Sequence, residues 1–497
     1  MKTIPKWMTL AITLAGYFAI VAAFFRAYLH DPAHLHGIWW LWADQGEYHR
    51  DALAWAAGNL DPSQHFYFPG YALIAAPFVH ITPSNPFLIP DIVSLLVTAW
   101  LLGRLALRLA PDRSFMPLLM PWVFFAALAA RPLAMVVWVQ PWDTTPAVPL
   151  CLGALLAAMR FREFPSARRA LVAGLVVGLI PAFRPTDAMI YGGASAVYCA
   201  AHLLRLPQRR WIGLIAAAAL GAVIGAALGA TAYLLSHGLH TSGYMLLAHN
   251  FGFEPRLLPF QWVTIMVAPK PVLASTPSLL RAFPWIFTGL AGILAGSLGA
   301  RAKGSLHGYL LMGAAVVANI AVYLCFRGLQ AGGLFIYDNQ HYFKIVSVCT
   351  LVLTVVLVDG FAHSWRARGA CLVALLLACC LLPWRVGFTP DNAADYTLQG
   401  RSIFLPHGFS GLDYVVLIRG ERHDPAFEND GLVLKINGVV MPNRFDYADV
   451  FSADGLAVEP LRDLPAGPAE IDVPPSVALT TQEPPAAAGW LKIHFQI

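Results

Sequence analysis

The sequence predicts a polytopic α-helical membrane protein of about eleven transmembrane helices, followed by an extracytoplasmic, β-sandwich-like C-terminal domain. Composition is the first observation: 58% of the 497 residues are hydrophobic and only 12% are charged, whereas soluble domains are roughly 25% charged. The second is a series of apolar segments, each long enough to span a bilayer, within residues 1–384. The third is a change of charge at residue 385, after which 15 acidic residues stand against 8 basic ones. Together they exclude a soluble globule, a disordered chain and a disulfide-rich scaffold.

The transmembrane domain, residues 1–384, is defined by segments of roughly 20 mostly apolar residues. These segments lie near 7–29, 89–109, 116–138, 145–159, 170–184, 186–204, 211–236, 284–300, 307–326, 342–361 and 370–384. The fifth and sixth segments are short and meet at Arg184–Pro185, so a tight re-entrant pair is an alternative for them.

Basic residues in short loops orient the helices, because such loops stay in the cytoplasm. Sixteen of the 25 basic residues before position 385 fall on one side of the predicted bundle. They are Lys2, Lys6, Arg104, Arg108, Arg113, Arg160, Arg162, Arg168, Arg169, Arg205, Arg209, Arg210, Arg301, Lys303, Arg366 and Arg368. The basic excess therefore reflects membrane insertion and indicates no nucleic-acid partner. We expect a multi-pass protein of the bacterial inner membrane whose first outer loop (residues 30–88) and C-terminal domain face the periplasm.

The C-terminal domain, residues 385–497, is predicted to be rich in β-structure. Asn437-Gly438 separates two apolar runs and favours a type I′ hairpin turn between them. Tyr414–Ile418 is a further strand candidate, and apolar and polar residues alternate from Leu491 to Ile497. All seven cysteines lie before residue 385, so this domain is expected to fold without disulfides.

The first outer loop carries the acidic residues that point to chemistry. Asp44, Glu47 and Asp51 are spaced so that they share one face of a helix, and Tyr48 lies beside them. One interpretation is a helix along the membrane surface, with aromatic side chains towards the lipid and carboxylates towards water. That interpretation leaves unexplained why a carboxylate follows directly after a tryptophan-rich anchor.

These motifs resemble the GT-C membrane glycosyltransferases, which include lipid A aminoarabinose transferases, protein O-mannosyltransferases and bacterial arabinofuranosyltransferases. The similarity begins with Asp44-x-x-x-Tyr48 and Phe68-Pro-Gly-Tyr71 in the first outer loop. It continues with Gln140-Pro-Trp-Asp143, with the glycine- and leucine-rich run from Gly174 to Arg184-Pro185, and with Asp338-Asn-Gln-His-Tyr-Phe343. His341 stands where the family usually has arginine. The resemblance covers residues 7–360 and does not extend to the C-terminal domain.

The resemblance implies sugar transfer from a polyprenyl-phosphate donor to a hydroxyl of a glycan, lipid or protein acceptor on the outer side of the membrane. Asp44 matches the family's general base, and Glu47 and Asp143 are candidate second carboxylates. The candidates for binding the donor phosphate are Lys344, His341, Arg256 and Arg184. The candidates for binding the acceptor or sugar are Tyr48, Asp51, His65 and Tyr71.

This chemistry suits the residues. An alcohol is a poor nucleophile until a base takes its proton, and a phosphate leaving group needs cations or hydrogen-bond donors more than a protonating acid. One essential carboxylate therefore suffices, unlike the pair in a glycosidase. No cofactor is required. The acids at 44, 47 and 51 offer a site for a divalent cation, but a monophosphate donor needs one less than a diphosphate donor does.

Several residues have a structural alternative. Lys344 lies just inside an apolar span, where an ammonium group is either functional or extends to the interface. Arg184 is suited equally to holding helix ends together, and Asp91 is expected to cap the helix that follows Pro90. For the whole chain, the alternative is a transporter or flippase of a lipid-linked or small polar substrate, which paired charges in the middle of spans would favour. A scaffold that displays the C-terminal domain is a third possibility.

Overall fold

The computed structural model describes most of the membrane domain and nine strands of the C-terminal domain. The described residues are 5–31, 38–41, 43–110, 114–130, 132–204, 207–243, 245, 253, 255, 258–267, 278–299, 306–326, 329, 339–361, 386–391, 397–399, 402–405, 415–419, 435–436, 439–440, 456–460, 469–472 and 489–495. The predicted span 370–384 and the phosphate-binding candidate Arg256 lie outside these residues.

The described residues of the first half of the membrane domain form ten α-helices of more than three residues. They are α1 (Lys6–His30), α2 (Ala43–Ala56), α3 (Pro69–Ala75), α4 (Leu88–Leu109), α5 (Met116–Ala130), α6 (Pro132–Val139), α7 (Thr144–Glu163), α8 (Ala167–Leu179), α9 (Gly193–Leu203) and α10 (Gln208–His237). Between α8 and α9 lie a 3-10 turn (Ile180–Ala182), a short helical turn (Pro185–Asp187) and a π-helix (Ala188–Gly192).

Three further long helices lie in the described residues of the second half: α11 (Trp285–Gly299), α12 (Leu306–Tyr323) and α13 (Lys344–Phe361). The chain forms two compact units, the first comprising Met1–Leu246, Ala282–Ile320 and His341–Leu381, and the second comprising Leu247–Arg281, Ala321–Gln340 and Leu382–Ile497. All the residues that bear on the site below belong to the first unit.

Five of the described helices are long and apolar enough to cross a membrane. They cover Trp7–His30, Leu88–Leu109, Thr144–Glu163, Arg210–His237 and Asn339–Asp359, and three shorter apolar helices cover Met116–Ala130, Trp285–Leu294 and His307–Tyr323. A mostly helical fold with several membrane-spanning helices is therefore confirmed, whereas the number eleven stays a prediction. The segment 116–138, predicted as one span, is covered by α5 and α6, and Arg131, which lies between them in the sequence, is outside the described residues.

Helices α8 and α10 pack with their backbones in contact. A Cβ atom on Gly174 would collide with the carbonyl oxygen of Ala218, and one on Gly178 would collide with that of Ala222. The small residues at these positions allow the close approach, as in other membrane helix pairs. This packing holds the end of α8, and with it the turn that follows, against the middle of α10.

Helices α4 and α7 both run from the functional site described below towards an arginine-rich end. Asp91 is in the first turn of α4 and Arg108 in its last, while α7 begins directly after Asp143 and ends in Arg160 and Arg162. Arg108 forms an ion pair with Glu163 at that end. Helices of 22 and 20 residues are about 30 Å long, so the site and the arginines are separated by about the thickness of a bilayer core.

The strands of the C-terminal domain form two antiparallel sheets. One has the order β1-β9-β4-β7 and the other β2-β3-β8-β5-β6. The strands are β1 (Val386–Asp391), β2 (Thr397–Gln399), β3 (Ser402–Leu405), β4 (Val415–Arg419), β5 (Lys435–Ile436), β6 (Val439–Val440), β7 (Leu456–Pro460), β8 (Ala469–Asp472) and β9 (Gly489–Phe495). Lys435 pairs with Val440 and Ile436 with Val439, so the hairpin predicted around Asn437-Gly438 is present. The β-sandwich arrangement stays a prediction.

Candidate functional site

Arg184 connects two carboxylates at the turn between α8 and α9. Its Nη1 donates to Asp143 Oδ1 at 2.6 Å, and its Nε lies 3.2 Å from Asp187 Oδ2. Pro185 disfavours a helical conformation for the preceding residue, and Arg184 is extended (φ −148°, ψ 100°), so the helix is interrupted here. The three side chains are 7%, 12% and 2% exposed for Arg184, Asp143 and Asp187, which makes this a buried ion-pair network. The proposed role of Arg184 in joining helix ends is therefore supported, and its charge is shared between two acids.

Lys344 is the second buried cation of the site. It is the first residue of α13 and is 2% exposed, and its Nζ donates to Thr145 Oγ1 at 2.6 Å and lies 5.3 Å from the centre of the Trp138 ring. The alternative that Lys344 extends to the membrane interface is wrong, because its amino group is enclosed by protein.

Asp91 lies close enough to Lys344 for the two side chains to interact electrostatically. The Tyr71 hydroxyl is 3.1 Å and 2.9 Å from the two Asp91 carboxylate oxygens. The expectation that Asp91 caps its helix is wrong: α4 begins at Leu88, its cap residue is Phe87, and Asp91 is 1% exposed inside the protein. Tyr71 is likewise fully buried, and its hydroxyl donates a hydrogen bond to the Asp91 carboxylate.

His341 is stacked between two aromatic rings. Its imidazole lies on Trp142 with ring centres 3.8 Å apart and a 14° interplanar angle, and Tyr342 follows at 4.0 Å. The Arg184 guanidinium lies 4.9 Å from the centre of the Tyr342 ring. His341 is 2% exposed, and neither of its ring nitrogens has a hydrogen-bond partner among the described residues. Such a buried orphan group in a charged region is a candidate contact for a ligand.

Asp44 is in the first turn of α2, and the Tyr67 hydroxyl donates a hydrogen bond to its Oδ1. Asp44 as a whole residue is partly exposed. Burial by the surrounding protein raises the pKa of Asp44 to about 6, against the hydrogen bond from Tyr67. The negative charge of Asp143 raises this pKa further and the positive charge of Arg184 lowers it, so Asp44 belongs electrostatically to the Arg184 network. Such a carboxylate is ionised at neutral pH and still basic enough to take a proton.

Asp51 holds the returning loop against α2. Its Oδ1 accepts the amide hydrogen of Phe66 at 3.0 Å and its Oδ2 accepts that of Tyr67 at 3.2 Å. Asp51 is 1% exposed, and burial raises its pKa to about 7 despite these two hydrogen bonds. The expectation that the carboxylates of this helix face water is therefore wrong for Asp51.

The other candidates on this loop are distributed around Asp44. Glu47 forms an ion pair with Arg50 and remains partly exposed. Tyr48 is buried, with its ring 4.4 Å from that of Tyr67 and in an apolar cluster beneath the loop. His65 Nε2 donates a hydrogen bond to the Asn59 carbonyl oxygen at 2.9 Å, since a carbonyl oxygen can only accept. Burial lowers the pKa of His65.

The structure thus brings together five predicted residues from distant parts of the sequence: Asp44, Asp143, Arg184, His341 and Lys344. His341 interacts electrostatically with both Arg184 and Lys344. Asp44 interacts in the same way with Asp143 and Arg184. His65 does not join them and lies instead with its ring 6.1 Å from that of His237. Within the described residues, no group of three or more His, Cys, Asp or Glu side chains is placed to hold a metal ion.

Sequence reasoning missed five residues of the site: Tyr67, Asp91, Trp142, Thr145 and Asp187. Asp91 and Asp187 carried a signal, since a carboxylate within an apolar helical segment is costly unless it has a partner. The sequence gives no comparable signal for the other three residues, Tyr67, Trp142 and Thr145, because tyrosine, tryptophan and threonine are common at such positions.

No protein-family model and no curated protein matches this chain. Solved structures similar to this chain include, both at 11% sequence identity, the oligosaccharyltransferase of Archaeoglobus fulgidus in the apo form, with a TM-score of 0.41, and the oligosaccharyltransferase AglB from Archaeoglobus fulgidus in complex with an inhibitory peptide and a dolichol-phosphate, with a TM-score of 0.43. Each similarity covers 76% of this chain and 55% of the solved chain, so this chain spans about half the length of the structures it matches.

Proposed function

We propose that this protein is a membrane glycosyltransferase of the GT-C type that moves a sugar from a polyprenyl-phosphate donor to an acceptor hydroxyl. The observation that carries the proposal is the carboxylate of Asp44, which accepts a hydrogen bond from Tyr67, has a pKa of about 6 and interacts with the charges of Asp143 and Arg184. Its first-loop motif and the order of the later motifs support the assignment to this type. The acceptor is a glycan, lipid or protein of the cell envelope.

In the proposed reaction Asp44 is the general base. The acceptor oxygen attacks the anomeric carbon from the side opposite the phosphate, and its proton passes to Asp44. The bond between the anomeric carbon and the phosphate oxygen breaks, and polyprenyl phosphate leaves with the electron pair. The sugar is transferred with inversion at the anomeric carbon. General-base catalysis of this kind typically contributes a factor of about 10² to 10⁴ in rate.

Lys344 and His341 are the proposed contacts for the donor phosphate. Lys344 supplies a buried positive charge, and His341 supplies two ring nitrogens that have no partner among the described residues. Arg184 is bound by Asp143 and Asp187, so we assign it mainly to positioning Asp143. Arg256 remains a candidate for binding the donor phosphate on the basis of the sequence.

The orientation of the protein is also a proposal. The site and the arginines Arg108, Arg160 and Arg162 lie at opposite ends of α4 and α7. Because arginines in short loops stay in the cytoplasm, this polarity supports an active site at the outer face of a bacterial inner membrane. The C-terminal domain is then periplasmic, and protease treatment of intact spheroplasts is expected to digest it.

The experiment that tests the function is transfer by the purified protein in lipid nanodiscs, with a panel of polyprenyl-phosphate sugars as donors and envelope extract as acceptor. A mass comparison of envelope glycans with and without the protein selects the panel. Asp44→Asn is expected to abolish transfer while leaving donor binding, and Asp61→Asn, which changes an exposed carboxylate on the same loop, is the matched control. Full transfer by Asp44→Asn would remove the base assignment.

The alternative is a transporter or flippase, and one observation favours it: Asp91 and Lys344 are ionisable residues inside candidate spans and lie near one another. They occur at the beginnings of their helices and not in mid-span, which suits a site at one membrane face better than a pathway through it. Movement of an intact lipid-linked sugar across liposomes, without release of polyprenyl phosphate, would establish transport instead.

A further inference from the structure

The hydrogen bonds around the first outer loop assign roles to two residues beyond Asp44. We propose that Tyr67 and Asp51 are positioning residues: Asp51 anchors the backbone of Tyr67, and the Tyr67 hydroxyl holds one oxygen of Asp44 so that the other faces the acceptor. This inference rests on the proposed function in taking Asp44 as the base. It replaces the sugar-binding role expected for Asp51.

The first step is the anchoring of the loop. Both carboxylate oxygens of Asp51 accept backbone amide hydrogens, from Phe66 at 3.0 Å and from Tyr67 at 3.2 Å. With 1% of its surface exposed and both oxygens in use, Asp51 cannot contact a sugar. A carboxylate that accepts two backbone amide hydrogens fixes both the position and the direction of the segment that donates them.

The second step is the reach from Asp51 back to Asp44. The two residues are seven positions apart on α2, which is two turns, or about 10 Å, along one face of the helix. Tyr67 has its backbone at the Asp51 end and its hydroxyl at Asp44, so its side chain runs along this face. The ring is 5% exposed and packs on Tyr48, which restricts its rotation.

A third contact holds the chain just beyond Tyr67. Gly70 approaches the carbonyl oxygen of Ala182 so closely that a Cβ atom there would lie 2.6 Å from it. The loop is thus secured on one side by Asp51 and on the other by the turn that precedes Arg184. A rigid loop limits the positions open to the Tyr67 hydroxyl, and therefore to Asp44.

The consequence for catalysis is electrostatic as well as geometric. A phenol hydrogen bond stabilises the ionised form of a carboxylate, and here it opposes the effect of burial on Asp44. It also occupies Oδ1, which leaves Oδ2 as the oxygen that takes the acceptor proton. Loss of the hydroxyl is expected to make Asp44 protonate at higher pH and to free its rotation.

The test measures the protonation of Asp44 without turnover. A hydrophobic carbodiimide modifies protonated carboxyl groups, and mass spectrometry of the full-length protein in nanodiscs follows its reaction at Asp44 across the pH range. In Tyr67→Phe the midpoint of labelling is expected to rise by about one pH unit, since a hydrogen bond to a charged group is worth at least that much. Asp51→Asn is expected to shift it in the same direction. The double variant is expected to shift it no further than Tyr67→Phe, because both changes act through one hydrogen bond.

Tyr233→Phe is the matched control, since the Tyr233 hydroxyl bonds to the backbone of His240 and Ser242 instead. An unchanged midpoint in Tyr67→Phe, or additive shifts in the double variant, would overturn the proposal. Transfer assays over the same pH range are expected to show matching shifts in the acid limb. If labelling shifts as expected but Asp44→Asn retains transfer, the positioning by Tyr67 and Asp51 stands and the base assignment fails.

Discussion

Replacement of Arg184 by methionine removes the cation from the buried network and leaves Asp143 and Asp187 without its positive charge. Loss of one partner from a buried ion pair costs about 3–5 kcal/mol, because the remaining charge has neither water nor a counter-ion. The lost contact with the Tyr342 ring adds about 0.5–2 kcal/mol. At roughly 2 °C per kcal/mol for a large chain, the apparent melting temperature at neutral pH is expected to fall by about 7–14 °C.

The dependence of this effect on pH identifies its cause. Without Arg184, the two buried carboxylates have no counter-ion, and the penalty for burying their charge is greatest where carboxyl groups are ionised. The deficit relative to wild type is therefore expected to be large at pH 8 and smaller at pH 5. Adding Asp187→Asn, which removes one of the two uncompensated charges, is expected to restore part of the stability.

The assay is thermal unfolding in detergent, followed by intrinsic tryptophan fluorescence and by the fraction that remains monodisperse. Arg169→Met, which changes an exposed arginine at the opposite end of the bundle, is the matched control. A melting temperature for Arg184→Met within about 1 °C of wild type at pH 8 would refute the reasoning. An equal deficit at pH 5 and pH 8 would show that packing, and not charge, is responsible.

Four further outcomes follow from the same geometry. Transfer is expected to fall about tenfold between pH 7 and pH 5 in a buffered rate assay, because Asp44 with a pKa of about 6 loses its ionised form over that range. Asp51→Asn lowers the melting temperature, but its deficit is expected to shrink as pH rises from 5 to 8, since a carboxyl with a pKa raised to about 7 stabilises the fold less once it ionises. Gly178→Leu is expected to prevent recovery of a monodisperse protein on size-exclusion chromatography, whereas Gly213→Leu, which meets open space, is expected to behave as wild type. Lys344→Gln is expected to raise KM for the donor more than tenfold with a smaller effect on kcat, as steady-state kinetics would measure.

Much of the fold was predictable because the bilayer imposes a strong and local constraint. A span needs an apolar segment of fixed length, so the positions of α1, α4, α7 and α10 follow from hydropathy alone. The bounds of helices near prolines were harder to predict, since Pro132 is the first residue of α6 whereas Pro149 lies inside α7. Whether a proline ends a helix depends on neighbouring helices, which hydropathy does not describe.

The candidate site was predictable in its charged members but not in their pairing. Asp44, Asp143 and Lys344 are conspicuous because charge is scarce in an apolar sequence. The ion pair between Arg184 and Asp143 depends on how α7 and α8 pack, because the two residues are far apart in the sequence. Sequence spacing therefore could not predict it. Tyr67 could not be identified, because an aromatic residue in an aromatic loop has no distinguishing pattern until its hydroxyl is seen to meet a carboxylate.

The backbone contact between α8 and α10 has a mechanical consequence for the network around Arg184. Side chains in an ordinary interface absorb small displacements by changing rotamer, but two backbones in contact have no such adjustable layer. Helices α8 and α10 are therefore expected to move as one rigid body when the surrounding lipid bilayer changes thickness or tension. Arg184 lies five residues after Leu179, the last residue of α8. Bilayer thickness is thereby linked to the alignment of the charges beside Asp44, and hydrogen exchange of the Ile180–Asp187 turn in thin and thick bilayers is the direct way to observe it.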